Sequence, residues 1–463
     1  MKKTADKKSP DRRPAERKSS ETSHSLWTDL YQITTAAAYF INRVNVRASF
    51  ELYIKTLPLS RTYLVAAGME QVVDYLRNLR FTQDDVEYLR SLPNFASTPD
   101  DFFAFLGELR FTGDLWSIPE GTPFFAGEPI LRVSAPIIEA QIVESYILSV
   151  VNYQVTVASK AARIVEAARG KKVIDFGFRR APAPEAAHYA SRAAYIAGFD
   201  ATSNLEGGRR YGIPMIGTVP YSFVLAFQSE QDAMKQYARA FPEGALVLID
   251  TVNQEEATRE VIACGEKLRG VRISSGELLK LSKDVRAMLD GANHQSTEII
   301  ASGDLNEEKI SSLVESDAPI DCFGVGADLV AAKETAVVEG VYRLVEVEEK
   351  NGVRYPEKFF AGKETIPARK QILRKVDRNG RYRGDAVARA GEVPAKNEVA
   401  YLRKVMEGGK LVAPLPSLGE IRRYCMEEIT KLPHETRRIV CPEPYPVKLS
   451  RQLLDLCARV TPK

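Results

Sequence analysis

Between residues 173 and 326, short apolar runs alternate with longer segments of helical periodicity. The apolar runs are Val173–Phe176, one entering Phe199–Asp200, Ile213–Thr218, and then 245–250, 270–274, 297–302 and 320–326. Polar residues gather where the first three end: Asp175, Arg179 and Arg180; Asp200, Ser203 and Asn204; Thr218, Tyr221 and Ser222. Apolar runs bounded by turns and separated by helical patterns predict βα units and a parallel sheet. Seven strand candidates, roughly 20–30 residues apart, suit consecutive βα units. The economical reading is an α/β fold with a closed or nearly closed βα barrel. In such barrels the loops after the strands build the active site, often with a phosphate site after the last strands. Here that position carries Gly324-Val325-Gly326.

The flanking segments read differently. A helix is predicted over 26–40 with Thr28 or Asp29 as N-cap, a strand over 48–54 and an amphipathic helix over 63–79. Two shorter helices follow, anchored by Phe102, Phe103 and Phe105, and then Pro- and Gly-punctuated β structure over 111–136. A long helix over 137–169 would end at Gly170, where a left-handed cap costs least. Beyond the barrel, Asn351-Gly352 and Asn379-Gly380 predict hairpins, and Ser417 with Glu420 forms a capping box opening a helix over 418–431. The expected organisation is a basic leader over 1–23 and a barrel over 141–340. An α/β domain over 24–140 would be completed by 341–463.

Charge adds little to this picture. The net charge is +3, and the 23 residues before His24 hold eight Lys/Arg against four Asp/Glu, so the body is close to neutral. That argues against a nucleic-acid partner and for a solvated, disordered leader. The leader lacks the apolar stretch of a secretory signal, and no apolar run reaches the length of a bilayer span. Five scattered cysteines without CxxC pairing suit a reducing cytosol and small apolar packing roles. A cytoplasmic protein without a membrane partner is expected.

Candidate chemistry sits at the strand ends. Arg272 lies inside an apolar strand, and a buried arginine calls for an anionic partner. Arg179 is a second candidate for a ligand carboxylate or phosphate. Phe176 either fills the barrel or offers a platform to a flat ring. Ser302-Gly303 and Gly324-Val325-Gly326 can present backbone N–H groups to a phosphate. Asp175, Asp200 and Asp250 suit magnesium, ribose hydroxyls or helix caps equally. None of the four histidines falls at a strand's C-terminal end, so histidine chemistry has no evident owner.

Taken together, DFGFRR, AAYIAGFDATSN, GIPMIGT, RISSGEL, IIASGDL and DAPIDCFGVG resemble the nicotinate phosphoribosyltransferase family. DLYQIT, YLVAAGMEQV, FTGDLWSIPEGTPFFAGEPILRV, IPARKQILR and LPSLGE extend the likeness in the same order over nearly all of residues 25–450. The resemblance implies an irregular type II phosphoribosyltransferase barrel, an N-terminal α/β domain and C-terminal elements that return to it. It implies a homodimer with shared active sites. It also implies transfer of phosphoribose from phosphoribosyl pyrophosphate, bound with Mg2+, to nicotinate, giving nicotinate mononucleotide for NAD synthesis. By resemblance, Phe176 and a partner's Tyr31 would sandwich the pyridine, and Arg179 and Arg272 would face its carboxylate and the donor. Ser302, Gly303, Gly324 and Gly326 would hold the 5′-phosphate, with Gly276 beside them. Ser203, Asn204, Ser222, Ser274 and Ser275 would line the substrates, and Asp250 and Tyr221 would stand with Arg272 at the reacting centre. No protein-bound metal site is implied. Serine at 203, where amide-using relatives carry aspartate, favours an acid.

The chain departs from the family at one site. Where the family reads GTMAHS, with a histidine phosphorylated by ATP, this chain reads Gly217-Thr218-Val219-Pro220-Tyr221-Ser222. The family's R-x-DSGD becomes Arg272-Ile273-Ser274-Ser275-Gly276-Glu277, and Asn253 replaces a second aspartate. Tyrosine cannot store energy in a labile N–P bond, so transfer without ATP coupling is expected. Two alternatives remain: another pyridine acid such as quinolinate, or a catalytically weak paralogue that binds a pyridine nucleotide.

Overall fold

The computed structural model describes residues 24–58, 61–242, 244–249, 254–263, 268–335, 338–356 and 365–460. The basic leader, Asp250, Asn253 and Cys264 lie outside them.

Six parallel strands form the curled sheet expected from the repeating apolar runs. In chain order they are Lys172–Asp175, Ala201–Thr202, Leu246–Leu248, Gly270–Ile273, Glu298–Ala301 and Cys322–Val325. Across the sheet they run second, first, sixth, fifth, fourth, third. The remaining predicted strand, 213–218, is an irregular crosspiece instead. Pro214 and Pro220 lack an N–H, and proline is poorly tolerated inside a sheet. Even so, the Thr202 N–H donates to the Pro214 carbonyl at 3.0 Å, and the Ile216 N–H to the Thr202 carbonyl at 3.1 Å. The Val219 N–H donates to the Leu246 carbonyl at 3.3 Å. The crosspiece thus bonds to both edge strands of the sheet.

Strand alternation sorts side chains to two faces. Ile174, Ala201, Leu246, Ile300 and Cys322 pack inside the curl, with Phe176 and Ile216 against them. Val173, Val247, Val271, Ile273, Ile299, Phe323 and Val325 pack outward, in one core with the surrounding helices. At the N-terminal mouth Lys172 pairs with Glu298 at 2.7 Å. The C-terminal rim therefore receives Phe176, Arg272 and Ser302, the next inward positions along their strands.

Both chain ends build a seven-stranded sheet beside the barrel. Its order is 352–354, 340–349, 47–54, 129–136, 114–117, 403–407, 410–411. Arg47–Ile54 is antiparallel to both of its neighbours. The two Asn-Gly hairpins form where expected, with Gly352 at φ 134° and Gly380 at φ 76°. The Ser417–Glu420 capping box is present at the start of Leu418–Lys431.

Two helices differ from their predicted bounds. The 63–79 segment is helical only over Met69–Asn78, because Leu64–Val65 pairs as a strand with Pro123–Phe124. The 137–169 segment splits at Val143 into Ile137–Ile142 and Glu144–Ala168, and its left-handed cap begins at Arg169, one residue before Gly170. Tyr146–Val155 contributes to the core of the flanking sheet and Val157–Ala168 to that of the barrel. One helix thus joins the two bodies. Cys322 and Cys425 are buried as fillers, but Cys441 is exposed.

Candidate active site

Arg272 stands opposite Ile300 on one neighbouring strand and Leu248 on the other. Its Nε donates to Ser302 Oγ at 2.8 Å and its Nη1 to Thr218 Oγ1 at 3.0 Å. These two neutral hydroxyls help to aim the guanidinium. Its Cζ lies 5.6 Å from the centre of the Phe176 ring, within cation–π range. Thr218, which the sequence marks only as the polar end of its run, is therefore a site residue in its own right.

Phe176 is half-buried, and its N–H donates to the Val325 carbonyl at 2.8 Å. The ring lies against Gly324, where a Cβ would collide with its Cδ2 and Cε2. Gly324, expected to serve a phosphate, thus has a second physical reason to be glycine. Gly326 precedes the short helix Ala327–Ala331 and faces the Phe176 backbone. Gly303 has φ 89°, and a Cβ there would strike the Ser274 carbonyl, so the turns after the fourth and fifth strands touch. Gly276 is also left-handed, at φ 76°. Ser275 and Gly276 are exposed and Ser274 is half-buried. Tyr221 and Ser222 are exposed at the start of the helix Tyr221–Leu225, just beyond Thr218.

Other candidates follow the first two strands or lie on a helix of the flanking body. Arg179 is exposed on the turn Phe178–Arg180. Tyr31, on the helix Leu30–Ile41, is 52 % exposed, and burial together with nearby Glu144 raises its hydroxyl above the ordinary range. The Ser203 N–H donates to the Asp175 carbonyl at 2.9 Å. Asn204, expected to line the substrates, is the buried N-cap of Leu205–Tyr211. Its Oδ1 accepts from the Gly207 N–H at 3.1 Å, and its Nδ2 donates to the Ala187 carbonyl and Ser191 Oγ.

Asp175 faces outward, behind Phe176. Its Oδ1 accepts from the Gly177 N–H, and its Oδ2 from Ser191 Oγ and Thr202 Oγ1, each at 2.7 Å. Burial raises this carboxyl above its ordinary value, with the three donors opposing the rise. These contacts make it a brace between the first two strands and the helix Pro184–Ile196. Asp200 Oδ1 pairs with Arg422 at 3.0 Å, far from the rim's bonding network. Among the described residues no group of three or more His, Cys, Asp or Glu could hold a metal ion.

The curled parallel sheet, whose C-terminal rim carries an arginine, an aromatic ring and two glycine turns, matches the fold of barrel phosphoribosyltransferases. Consistent with that class, the family model described as "Quinolinate phosphoribosyl transferase, C-terminal domain" matches residues 157–335. Models for the nicotinate phosphoribosyltransferase N-terminal and C-terminal domains match residues 26–152 and 399–457. The chain is 40 % identical over 445 residues to nicotinate phosphoribosyltransferase pncB2 of Mycobacterium tuberculosis, covering 94 % of each. It is 36 % identical over 464 residues to the nicotinate phosphoribosyltransferase of Bacillus subtilis, covering 93 % of this chain and 94 % of that one. The solved structure of human nicotinic acid phosphoribosyltransferase superposes with a TM-score of 0.83 at 27 % identity, over 94 % of this chain and all of that one. That of nicotinate-nucleotide pyrophosphorylase from Pyrococcus furiosus gives 0.73 at 25 %, over 91 % and 98 %. The chain belongs to the nicotinate phosphoribosyltransferase family and is a transferase. Among the described residues no helix is long and apolar enough to cross a membrane.

Proposed function

We propose that the protein transfers phosphoribose from phosphoribosyl pyrophosphate to nicotinate, without ATP coupling, in the cytoplasm. The observation that carries this reading is the placement of Arg272, bonded to Ser302 and Thr218, over the Phe176 ring. A pyridine carboxylate stacked on Phe176 places its carboxylate toward the guanidinium, a charge-assisted contact in a partly dry site. The turns at Ser302-Gly303 and Gly324–Gly326, with Gly276 nearby, supply N–H groups for the sugar 5′-phosphate.

In the reaction the ribose C1–O bond to pyrophosphate breaks as the pyridine nitrogen forms the new C1–N bond. Pyrophosphate leaves with the electron pair of the broken bond. The ring nitrogen attacks through its lone pair, so no base is required. Positioning and stabilisation of the oxocarbenium-like ribose are the protein's tasks. Magnesium enters as the counter-ion of the donor's pyrophosphate. Tyr221 cannot carry a phosphoryl group as a labile phosphohistidine does, which supports transfer independent of ATP.

On this reading the protein is a homodimer in which Tyr31 of a second copy completes the pocket. Trp27, Leu30 and Tyr31 are exposed together on one protomer. The test is pyrophosphate release from phosphoribosyl pyrophosphate with nicotinate, with and without ATP. A second reading, transfer to quinolinate, is favoured by the quinolinate-transferase model that matches the barrel segment. Release of carbon dioxide with quinolinate would select it.

A further inference from the structure

The rim is braced from behind by one lysine on the long helix Glu144–Ala168. Lys160 is 3 % exposed at its side chain, and its ammonium contacts three carboxylates: Glu307 at 2.6 Å, Asp328 at 2.5 Å and Glu334 at 2.9 Å. The ammonium donates a hydrogen bond to Glu334, whereas Glu307 and Asp328 meet it as close ion pairs. Arg163, one helical turn on, adds a contact from Nε to Glu307 Oε1 at 3.0 Å. Arg61 pairs with Glu334. These three cations and three carboxylates balance in a buried cluster, the condition under which buried ions are tolerated.

Two of the carboxylates are placed to matter for the site. Glu307 is the first residue of the helix Glu307–Glu315, four positions after Gly303. Asp328 lies in Ala327–Ala331, two positions after Gly326. Glu334 belongs to neither turn, and its side chain is 27 % exposed. The same helix also holds Ala327–Ala331 through Tyr153, whose hydroxyl donates to the Val330 carbonyl at 3.0 Å. The two glycine turns stand side by side on adjacent strands, and their following helices meet at one ammonium.

The geometry points to Lys160 as a positioning residue that fixes the spacing between the Ser302-Gly303 and Gly324–Gly326 turns through Glu307 and Asp328. This rests on the reading that these turns hold the sugar phosphate. If so, loosening the brace weakens the grip on the donor and leaves the pyridine platform intact. Small displacements of positioning groups can lower rates by up to about 100-fold.

The test compares Asp328→Asn with Glu334→Gln in the full-length protein, each checked for a cooperative thermal transition. Both remove one carboxylate charge from Lys160, but only Asp328 is attached to a glycine turn. Expected for Asp328→Asn is a roughly tenfold or greater rise in KM for phosphoribosyl pyrophosphate with KM for nicotinate unchanged. Expected for Glu334→Gln is a lowered melting temperature with both KM values retained. Equal donor KM values in the two variants would overturn the inference and leave only a structural cluster. Titration calorimetry with phosphoribosyl pyrophosphate alone separates this from the functional reading. A wild type that binds the donor without transferring it to nicotinate defeats the proposed function, while the donor affinity of Asp328→Asn still decides the role of Lys160. A wild type that does not bind the donor defeats both.

Discussion

The ring of Phe176 rests on the backbone of Gly324, with no room for a Cβ between them. Gly324→Ala is therefore expected to tilt or displace the ring. The cost in stability should be about 1–3 kcal/mol, as for other overpacked sites. The larger effect should fall on KM for nicotinate, because the platform is lost before the fold is. A variant with normal nicotinate KM would separate the ring from the acceptor site.

Arg272 is held by Ser302 and Thr218, so its direction is fixed before any ligand arrives. Arg272→Ala is expected to weaken binding of nicotinate sharply. Loss of one charged hydrogen-bonding group is worth about 1.5–3 kcal/mol, or roughly 10- to 150-fold. Arg272→Lys should recover little, since a single ammonium cannot reproduce the fork that meets both hydroxyls and a carboxylate. Steady-state kinetics and calorimetry with nicotinate check both variants.

Tyr221→His restores the residue type but not its surroundings, because Ser274 stands where the family carries an acid. No strong ATP stimulation is expected from this single substitution. A variant whose rate rises steeply with ATP would show that Tyr221 alone uncouples the chain.

Stability should respond to acid through Glu120. This carboxylate accepts from the fully buried Arg192 at 2.8 and 2.7 Å, and from the Gly68 and Met69 N–H groups. Burial alone would raise its pKa, but Arg192 and the two N–H groups outweigh it and hold the carboxyl below its ordinary value of 4.5. A depressed folded pKa stabilises fully above the unfolded value and less as pH falls through the folded one. Glu120→Gln should destabilise by about 3–5 kcal/mol at neutral pH, because Arg192 loses its main partner. Below pH 4.5 its stability should fall less steeply than the wild type's. Urea unfolding across pH measures both, and an unchanged acid slope would contradict the assignment.

The strands were legible because each is a short apolar run closed by a turn, and strand alternation carries Arg272 and Phe176 to the same rim. Neighbouring Asp175 looked equally suited to chemistry in the sequence. One residue of register turns it to the outer face, where Ser191 and Thr202 engage it. Asn204 was misleading for a related reason, since asparagine after a strand suits either a ligand or a helix cap. The crosspiece at 213–218 read as a strand from its apolar content, but Pro214 within it and Pro220 just beyond it prevent a regular ladder. Lys160 gave no local signal. It sits among alanines on a helix, and its partners lie 147, 168 and 174 residues further along the chain.

The central claim is tested most directly by incubating the purified protein with nicotinate and magnesium-loaded phosphoribosyl pyrophosphate, and quantifying nicotinate mononucleotide and pyrophosphate. Equimolar formation of both, at a rate unchanged by added ATP, is expected. Absence of the mononucleotide, or its formation only when ATP is hydrolysed, would contradict the account.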